Sequence, residues 1–298
     1  MEIRTLRYFL AVAQTQNMTR AAQELHVTQP TLSKQIKALE QELGQKLFIR
    51  HSFSIELTEE GRLLRERAAD LVALADKVED EFASLRDIQG GDIRFGLAES
   101  WQVRLLAREI AHLRKSYPGL RYHIVSGDTA QVAERLDRGV IDFALLAEKA
   151  DPDLYESLRF PEADAWGLIM PEGDALAAHD GIVLDDIVGL PLLCSGQGWC
   201  RDIPRWAGSR MGELVLDGEF SLSYNASLFV REGMGYILTF DHIVDAGAGS
   251  GLAFRPLVPR LETELYLVWR KGQLLSRMAQ IFLAAMEESF GEDTQTQK

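Results

Sequence analysis

Apolar positions in the first sixty residues recur at helical spacing. Ile3, Leu6, Phe9, Leu10 and Ala13 share one face of a helix over residues 3–14. Asn17 and Thr19 are candidate N-caps of a second helix carrying Ala21, Ala22 and Leu25. His26-Val27 makes a turn, and Thr28-Gln29-Pro30 opens a third helix with Pro30 in its first turn, where a missing N–H costs nothing. That helix runs to about Leu43, with Gly44 as its C-cap signal. Ile36, Leu39 and Leu43 are expected to face inward, leaving Gln29, Thr31, Ser33, Lys34 and Lys37 on the outer face. LFIRHSFSIELT then reads as two short strands around a tight turn near Ser52-Phe53-Ser54.

A different pattern follows. Leu57, Gly61, Leu64, Ala68, Leu71, Ala75, Val78, Phe82 and Leu85 are separated alternately by four and three residues, a heptad stripe on a charged helix. So narrow a stripe wants a partner: a second copy of the helix, as in a dimerisation linker, or the helix's own domain. Gln89-Gly90-Gly91-Asp92 is expected to end the helix as a hinge. Beyond it, apolar runs at 93–98, 121–125, 141–147, 166–170, 191–195, 236–240 and 264–269 read as strands. Helices are expected at 101–116, 129–137, 199–208, 225–233 and 273–289. This alternation predicts α/β units on a largely parallel sheet, enough for two lobes.

Composition refines the picture. With 298 residues, 46% hydrophobic and 26% charged, the chain has ordinary globular composition and room for two or three domains. No window approaches the apolar length of a membrane span, and no apolar export segment opens the chain. Two cysteines, Cys194 and Cys200, make no disulfide framework, so a cytoplasmic protein is expected. The net charge of −13 argues against a phosphate-rich partner, yet it is unevenly spread. Residues 1–57 hold seven basic and five acidic side chains, a net +2, whereas the remainder holds 25 basic and 40 acidic, a net −15.

Short helices, a tight turn, a polar third helix and a β-wing make a winged helix-turn-helix, which lays the third helix in the major groove of double-stranded DNA. The same periodicity also suits a small helical interaction domain with a solvated face. The residues go further. AAQELHVTQPTLSKQIKALEQELGQKLFIR resembles the signature of the LysR-type transcriptional regulators, with the alanine pair, Thr-Gln-Pro, Leu-Ser-Lys-Gln-Ile, Leu-Glu, Leu-Gly and Leu-Phe-x-Arg at that family's spacings. Thr58 and Gly61 continue it. The resemblance implies a DNA face formed at or near Thr28, Gln29, Pro30, Thr31, Ser33, Lys34 and Lys37, with Arg50 supporting the wing or a backbone contact. The family usually carries further basic residues in the wing, where this chain has His51-Ser52-Phe53-Ser54 and Glu56.

The resemblance loosens but continues. The Tyr117-Pro118 turn, Arg138-Gly139-x-x-Asp142 and Phe229-x-x-x-Gly233-x-Gly235 are similar to the family's effector-binding domain, itself similar to periplasmic solute-binding proteins. It implies a DNA-binding domain over 1–58, a linker helix over 59–89 and an effector domain over 90–298. Lobe one would take about 91–162 plus 265–298, and lobe two about 163–264. It also implies a homodimer or homotetramer, contact with RNA polymerase, and a small-molecule effector, by family default an organic acid.

Ligands of such sheets bind where strands end and helices begin. That points to the loops Ala98–Trp101, Ser126–Thr129, Ser195–Trp199 and Tyr224-Asn225, with Ser100, Trp101, Thr129, Gln197, Trp199 and Asn225 as candidate contacts. The resemblance adds that Ser100 and Thr129 match positions that contact small effectors in the family; the other reading makes them N-caps, and the tryptophans ordinary packing residues. Glu99 and Asp128 beside these loops would repel an anion; they could point to solvent, or the effector could carry a cationic group. The six histidines have no metal-ligand spacing, and neither a nucleophile elbow nor a phosphate loop is present, so no enzyme is expected. The alternatives are a redox sensor using Cys194 and Cys200, and a non-regulatory small-molecule-binding protein.

Overall fold

The computed structural model describes residues 1–50, 55–84 and 90–296. It divides into two compact units, Met1–Arg86 and Asp87–Lys298.

The first unit opens with α1 (Ile3–Thr15), α2 (Met18–Glu24) and α3 (Gln29–Leu43). A two-stranded wing follows, β1 (Phe48–Arg50) and β2 (Ile55–Leu57), and then the long helix α4 (Glu59–Ser84). Of the two candidates, Asn17 caps α2, its side chain accepting from Thr19 and Arg20 N–H. Thr28 caps α3, and Gly44 ends it in the left-handed conformation at φ 68°. The inward side of α3 is Leu32, Ile36, Leu39 and Glu40. Leu43, expected among them, is 40% exposed at the helix end. The predicted turn at Ser52-Phe53-Ser54 lies outside the described residues, but β1 and β2 pair antiparallel as expected.

Two features of the signature have local physical causes. The buried Glu40 carboxylate accepts from Leu47 N–H (3.0 Å) and from Lys46 Nζ (2.8 Å), tying the end of α3 to the wing. Burial alone would raise the Glu40 carboxyl, but the Lys46 and Leu47 hydrogen bonds outweigh it and hold the group below its usual range. Thr58 donates to the Lys46 carbonyl (2.7 Å) while accepting from Gly61 N–H (2.9 Å), which sets the first turn of α4 against β1. At Gly61 a Cβ would come within 2.2 Å of the Leu47 carbonyl oxygen, so only glycine fits.

The heptad stripe divides its loyalties. Gly61 and Ala68 are buried, and Leu57, Leu64 and Val72 pack on the core that α1, α2 and α3 build around Phe9, Leu32 and Ile36. Further along, Leu71, Leu74, Val78 and Phe82 are 40–68% exposed, and Leu63 is 60% exposed. A strict seven-residue repeat on a straight α-helix drifts by about 20° per heptad, so over this stripe its face turns by roughly 70° away from the side that packs on the α1–α3 core. Arg7 pins the helix to α1 through Asp76 (2.5 Å).

The second unit contains two mixed sheets. The first has the order β4-β3-β5-β13-β6, built from β3 (Gly90–Leu97), β4 (Gly119–Ser126), β5 (Phe143–Leu146), β6 (Tyr155–Arg159) and β13 (Tyr266–Arg270). The second runs β11-β7-β10-β8-β9, with β12 also on β7; its strands are β7 (Asp164–Pro171), β8 (Pro191–Ser195), β9 (Val215–Phe220), β10 (Tyr236–Phe240), β11 (Leu252–Pro256) and β12 (Glu262–Thr263). The helices are α5 (Val103–Ser116), α6 (Thr129–Asp137), α7 (Leu184–Ile187), α8 (Ile203–Ala207), α9 (Ser223–Arg231) and α10 (Arg277–Thr296). Gly90, Gly91 and Asp92 begin β3 rather than forming a hinge; Gln89 lies outside the described residues.

The sheets are less parallel than the alternation suggests. β3, β4 and β5 are parallel, as are β8, β9 and β10, whereas β13 and β7 run antiparallel to every strand they pair with. A parallel pair needs a crossover connection. The chain passes from β6 to β7 and returns from β12 to β13 directly between the sheets, with no crossover helix. Phe95, Phe143 and Phe282 stack in the core under α5 and α10, while Val132 and Leu136 of α6 fill the opposite face.

Gly61→Ala should destabilise the first unit by roughly 1–3 kcal/mol through overpacking against backbone. Calorimetry of the full chain should show a lower first-unit transition with the second unit's transition unmoved.

Candidate functional site

On α3, Thr28, Gln29, Pro30, Thr31, Lys34 and Lys37 are exposed and Ser33 is half-buried. Thr28 is committed locally, its hydroxyl accepting from Thr31 N–H and lying 2.8 Å from the Thr31 hydroxyl. Three cations elsewhere in the unit are engaged: Arg7 by Asp76, Arg20 by Glu24 and Lys46 by Glu40. Among the described residues nothing pairs with Lys34 or Lys37, so both ammonium groups are free toward solvent beside the Gln29–Ser33 row. Arg50 ends β1, and its side chain lies outside the described residues.

In the second unit a cavity of about 530 Å³ opens between the two sheets. The ends of β3, β4 and β8 and the start of α9 feed it. Thr129 and Gln197 line it. Asp128, not Thr129, caps α6, accepting from Gln131 N–H at 2.8 Å. The Thr129 hydroxyl is therefore not spent as a cap; it is buried without a hydrogen-bond partner. Gly196 and Gly198 allow close approach, since a Cβ there would meet the Glu219 carboxylate or the Trp166 ring.

Four of the sequence candidates lie elsewhere. Ser100 is buried behind the wall, accepting from Gln102 N–H (2.9 Å) and hydrogen-bonding the Asp164 carboxylate. Trp101 is 43% exposed and packs on His242 with ring centroids 5.0 Å apart. Trp199 packs against the core of the second sheet. Asn225 is exposed two residues into α9, and Ser223 takes its expected place on the wall. The wall also holds residues outside the four loops named from the sequence: Glu148, Trp166, Arg201, Asp202, Glu219, Thr239 and Phe240. The best available signal for Arg201 and Asp202 was the loop after β8, where Gly198–Asp202 form one wide π-type turn.

Buried polar groups connect the floor. Trp166 Nε1 donates to the Thr263 hydroxyl (2.8 Å), which donates to Asp202 (2.8 Å). Burial raises the Asp202 carboxyl above its usual range, with Thr263, Arg205 and Arg201 offsetting only part of the effect. Asp164 is raised for the same reason, against hydrogen bonds from Ser100 and Gln102. Cys194 is sealed in the core, where burial pushes its thiol far above the ordinary range and suppresses the nucleophilic thiolate; Cys200 is exposed. That arrangement gives no support to a thiol pair as sensor.

Comparison with known proteins assigns both parts of the chain to one family. The family model described as bacterial regulatory helix-turn-helix protein, lysR family, matches residues 3–62, and the LysR substrate binding domain matches residues 86–291. The chain is 27% identical to the HTH-type transcriptional regulator XapR of Escherichia coli, over 95% of this chain and 97% of XapR. It is 26% identical to the HTH-type transcriptional activator CmpR of Synechocystis, over 92% of this chain and 91% of CmpR. Its fold is similar to that of CbnR, a LysR family transcriptional regulator, with a TM-score of 0.76 at 22% identity over 97% of this chain and 99% of CbnR. Against full-length CbnR complexed with its target DNA the TM-score is 0.73 at 23% identity, over 97% of this chain and 100% of that one.

A raised carboxyl favours the folded state while protonated. Its contribution is full below the unfolded value of about 3.9 and is lost as pH rises through the folded value. Asp202→Asn should therefore melt with the parent at the acid end and increasingly above it toward neutrality. Thermal melts across that range check this; a gap independent of pH contradicts it.

Proposed function

The chain belongs to the LysR-type transcriptional regulators, and from that premise we propose how it works: a cytoplasmic, non-catalytic regulator that reads operator DNA through the outer face of α3 as a homodimer or homotetramer. A small molecule in the interlobe cleft adjusts the assembly's hold on DNA and its contact with RNA polymerase. The observation that carries the DNA reading is the pair of unengaged lysines, Lys34 and Lys37, flanking exposed Gln29 and Thr31 on α3. Amide and hydroxyl groups can reach base edges, and free ammonium groups can replace counterions on phosphates. Gln29, Thr31 and Ser33 are assigned to base edges, Lys34, Lys37 and Arg50 to phosphates, and Thr28 and Pro30 to setting the helix start. Ser100, Trp101, Trp199 and Asn225 support or flank the cleft, and Thr129 and Gln197 face its contents.

The assembly reading rests on α4. Leu71, Leu74, Val78 and Phe82 stay exposed although they sit on one helix with the stripe that packs inward. At about 1.5 Å per residue α4 extends roughly 39 Å, long enough for a paired helix to bury these side chains. Pairing also presents two recognition helices, and linked half-sites raise affinity without new contacts.

Two experiments test this. Lys34→Ala and Lys37→Ala should each weaken binding to the DNA upstream of the chain's own gene, and each should lower the slope of log affinity against log salt by about 1. Gln29→Ala should instead relax base preference, costing about 1–3 kcal/mol of discrimination. Anisotropy titrations at several salt concentrations separate the two, and unaltered slopes in both lysine variants contradict the assignment. Val78→Glu with Leu74→Glu should shift sedimentation toward the monomer and abolish tight DNA binding; an unchanged oligomer contradicts the α4 interface.

A further inference from the structure

We propose that the cleft selects an organic cation, an amine on an aromatic or short apolar body, rather than an organic acid. The proposal rests on the reading that this cleft is the effector site.

The wall carries Glu99, Asp128, Glu148, Asp202 and Glu219 against a single cation, Arg201. That cation is taken, because Arg201 is paired with Glu148. The remaining places where a carboxylate ligand could dock are helix N-termini, which offer free N–H groups and positive partial charge. At α6 and α9 the chain's own carboxylates each take a free N–H and lay negative charge over the helix start, and at the π-type turn Gly198–Asp202 the Gly198 N–H goes to the Ser195 hydroxyl with the Glu219 carboxylate beside Gly196. Asp128 accepts from Gln131 N–H on α6 (2.8 Å), and Glu99 accepts from Ser223 N–H on α9 (2.7 Å). An organic acid would have to evict one of them or sit unpaired among like charges, which water-excluding walls make more costly.

The features left open suit a cation. Among the described residues no cation pairs with Asp128 or Glu219, and Glu219 lies against Gly196, held there because glycine leaves it room. Trp166 and Phe240 meet edge to face (4.6 Å between ring centroids) and provide an aromatic wall for an apolar body or an ammonium group.

The test uses the full chain and charge-reversed isosteres: phenethylamine against hydrocinnamate, tryptamine against indolepropionate, and putrescine against adipate. Titration calorimetry and thermal shift should show at least one amine binding about tenfold or more tighter than its carboxylate partner. Glu219→Gln and Asp128→Asn should each weaken that amine about three- to tenfold; asparagine retains the cap, so α6 stays formed. Ala133→Trp, which fills the cavity from α6, should abolish the binding. Preference for the carboxylates, or no difference between the two classes, overturns the cation assignment. If carboxylate binding is then lost in Ala133→Trp, the cleft stands as the effector site and only the ligand class falls. Amine binding that survives Ala133→Trp overturns both.

Discussion

A backbone N–H left unpaired at a helix start or strand edge has to be satisfied, and in this chain carboxylates repeatedly do so. Glu40 takes Leu47 N–H in the first unit, while Asp142 takes Arg94 N–H between β5 and β3. Asp128 caps α6, and Glu99 reaches from the end of β3 to Ser223 N–H at the start of α9. These acids hold elements in register, so part of the net −13 is architectural. Their placement also sets the electrostatics of the cleft, because a carboxylate at a helix N-terminus takes one of its free N–H groups and offsets the positive partial charge that would draw an anion.

The charge division has a consequence for each unit. In the first, acids neutralise Arg7, Arg20 and Lys46 and leave Lys34 and Lys37 free on the exposed face of α3. The small positive excess over residues 1–57 is thereby concentrated where a phosphate backbone would lie. In the second, acids outnumber cations around the cavity, so the charge that disfavours DNA contact is the same charge that filters the ligand.

What the sequence disclosed follows from how local each signal is. Caps, the Pro30 start, the Gly44 stop and the Thr58–Gly61 join each depend on a few neighbouring residues, so the winged helix could be read almost entirely. The direction of the α4 stripe could not, because heptad spacing identifies a stripe without saying which way it faces; Leu63 and Leu74 lie off it, yet are exposed. Strands β6 and β9 escaped notice because both are sheet edges with polar residues alternating along them, and so lack a continuous apolar run. Strand-end logic found the loops that line the cleft. It could not tell Trp199, turned into the core, from Arg201 two residues on, because a π-type turn rotates the side chains away from α-helical spacing.

The central claim is that internal carboxylates hold the anion positions of the cleft and leave it selective for a cation. The most direct measurement is a crystal structure of the chain with the effector that co-purifies from its own cells. The account predicts a ligand nitrogen within ion-pair distance of Asp128 or Glu219, its body on Trp166 and Phe240, with Asp128 and Glu99 still on their N–H groups. A ligand carboxylate seated on the α6 or α9 N-terminus, with Asp128 or Glu99 displaced, would contradict it.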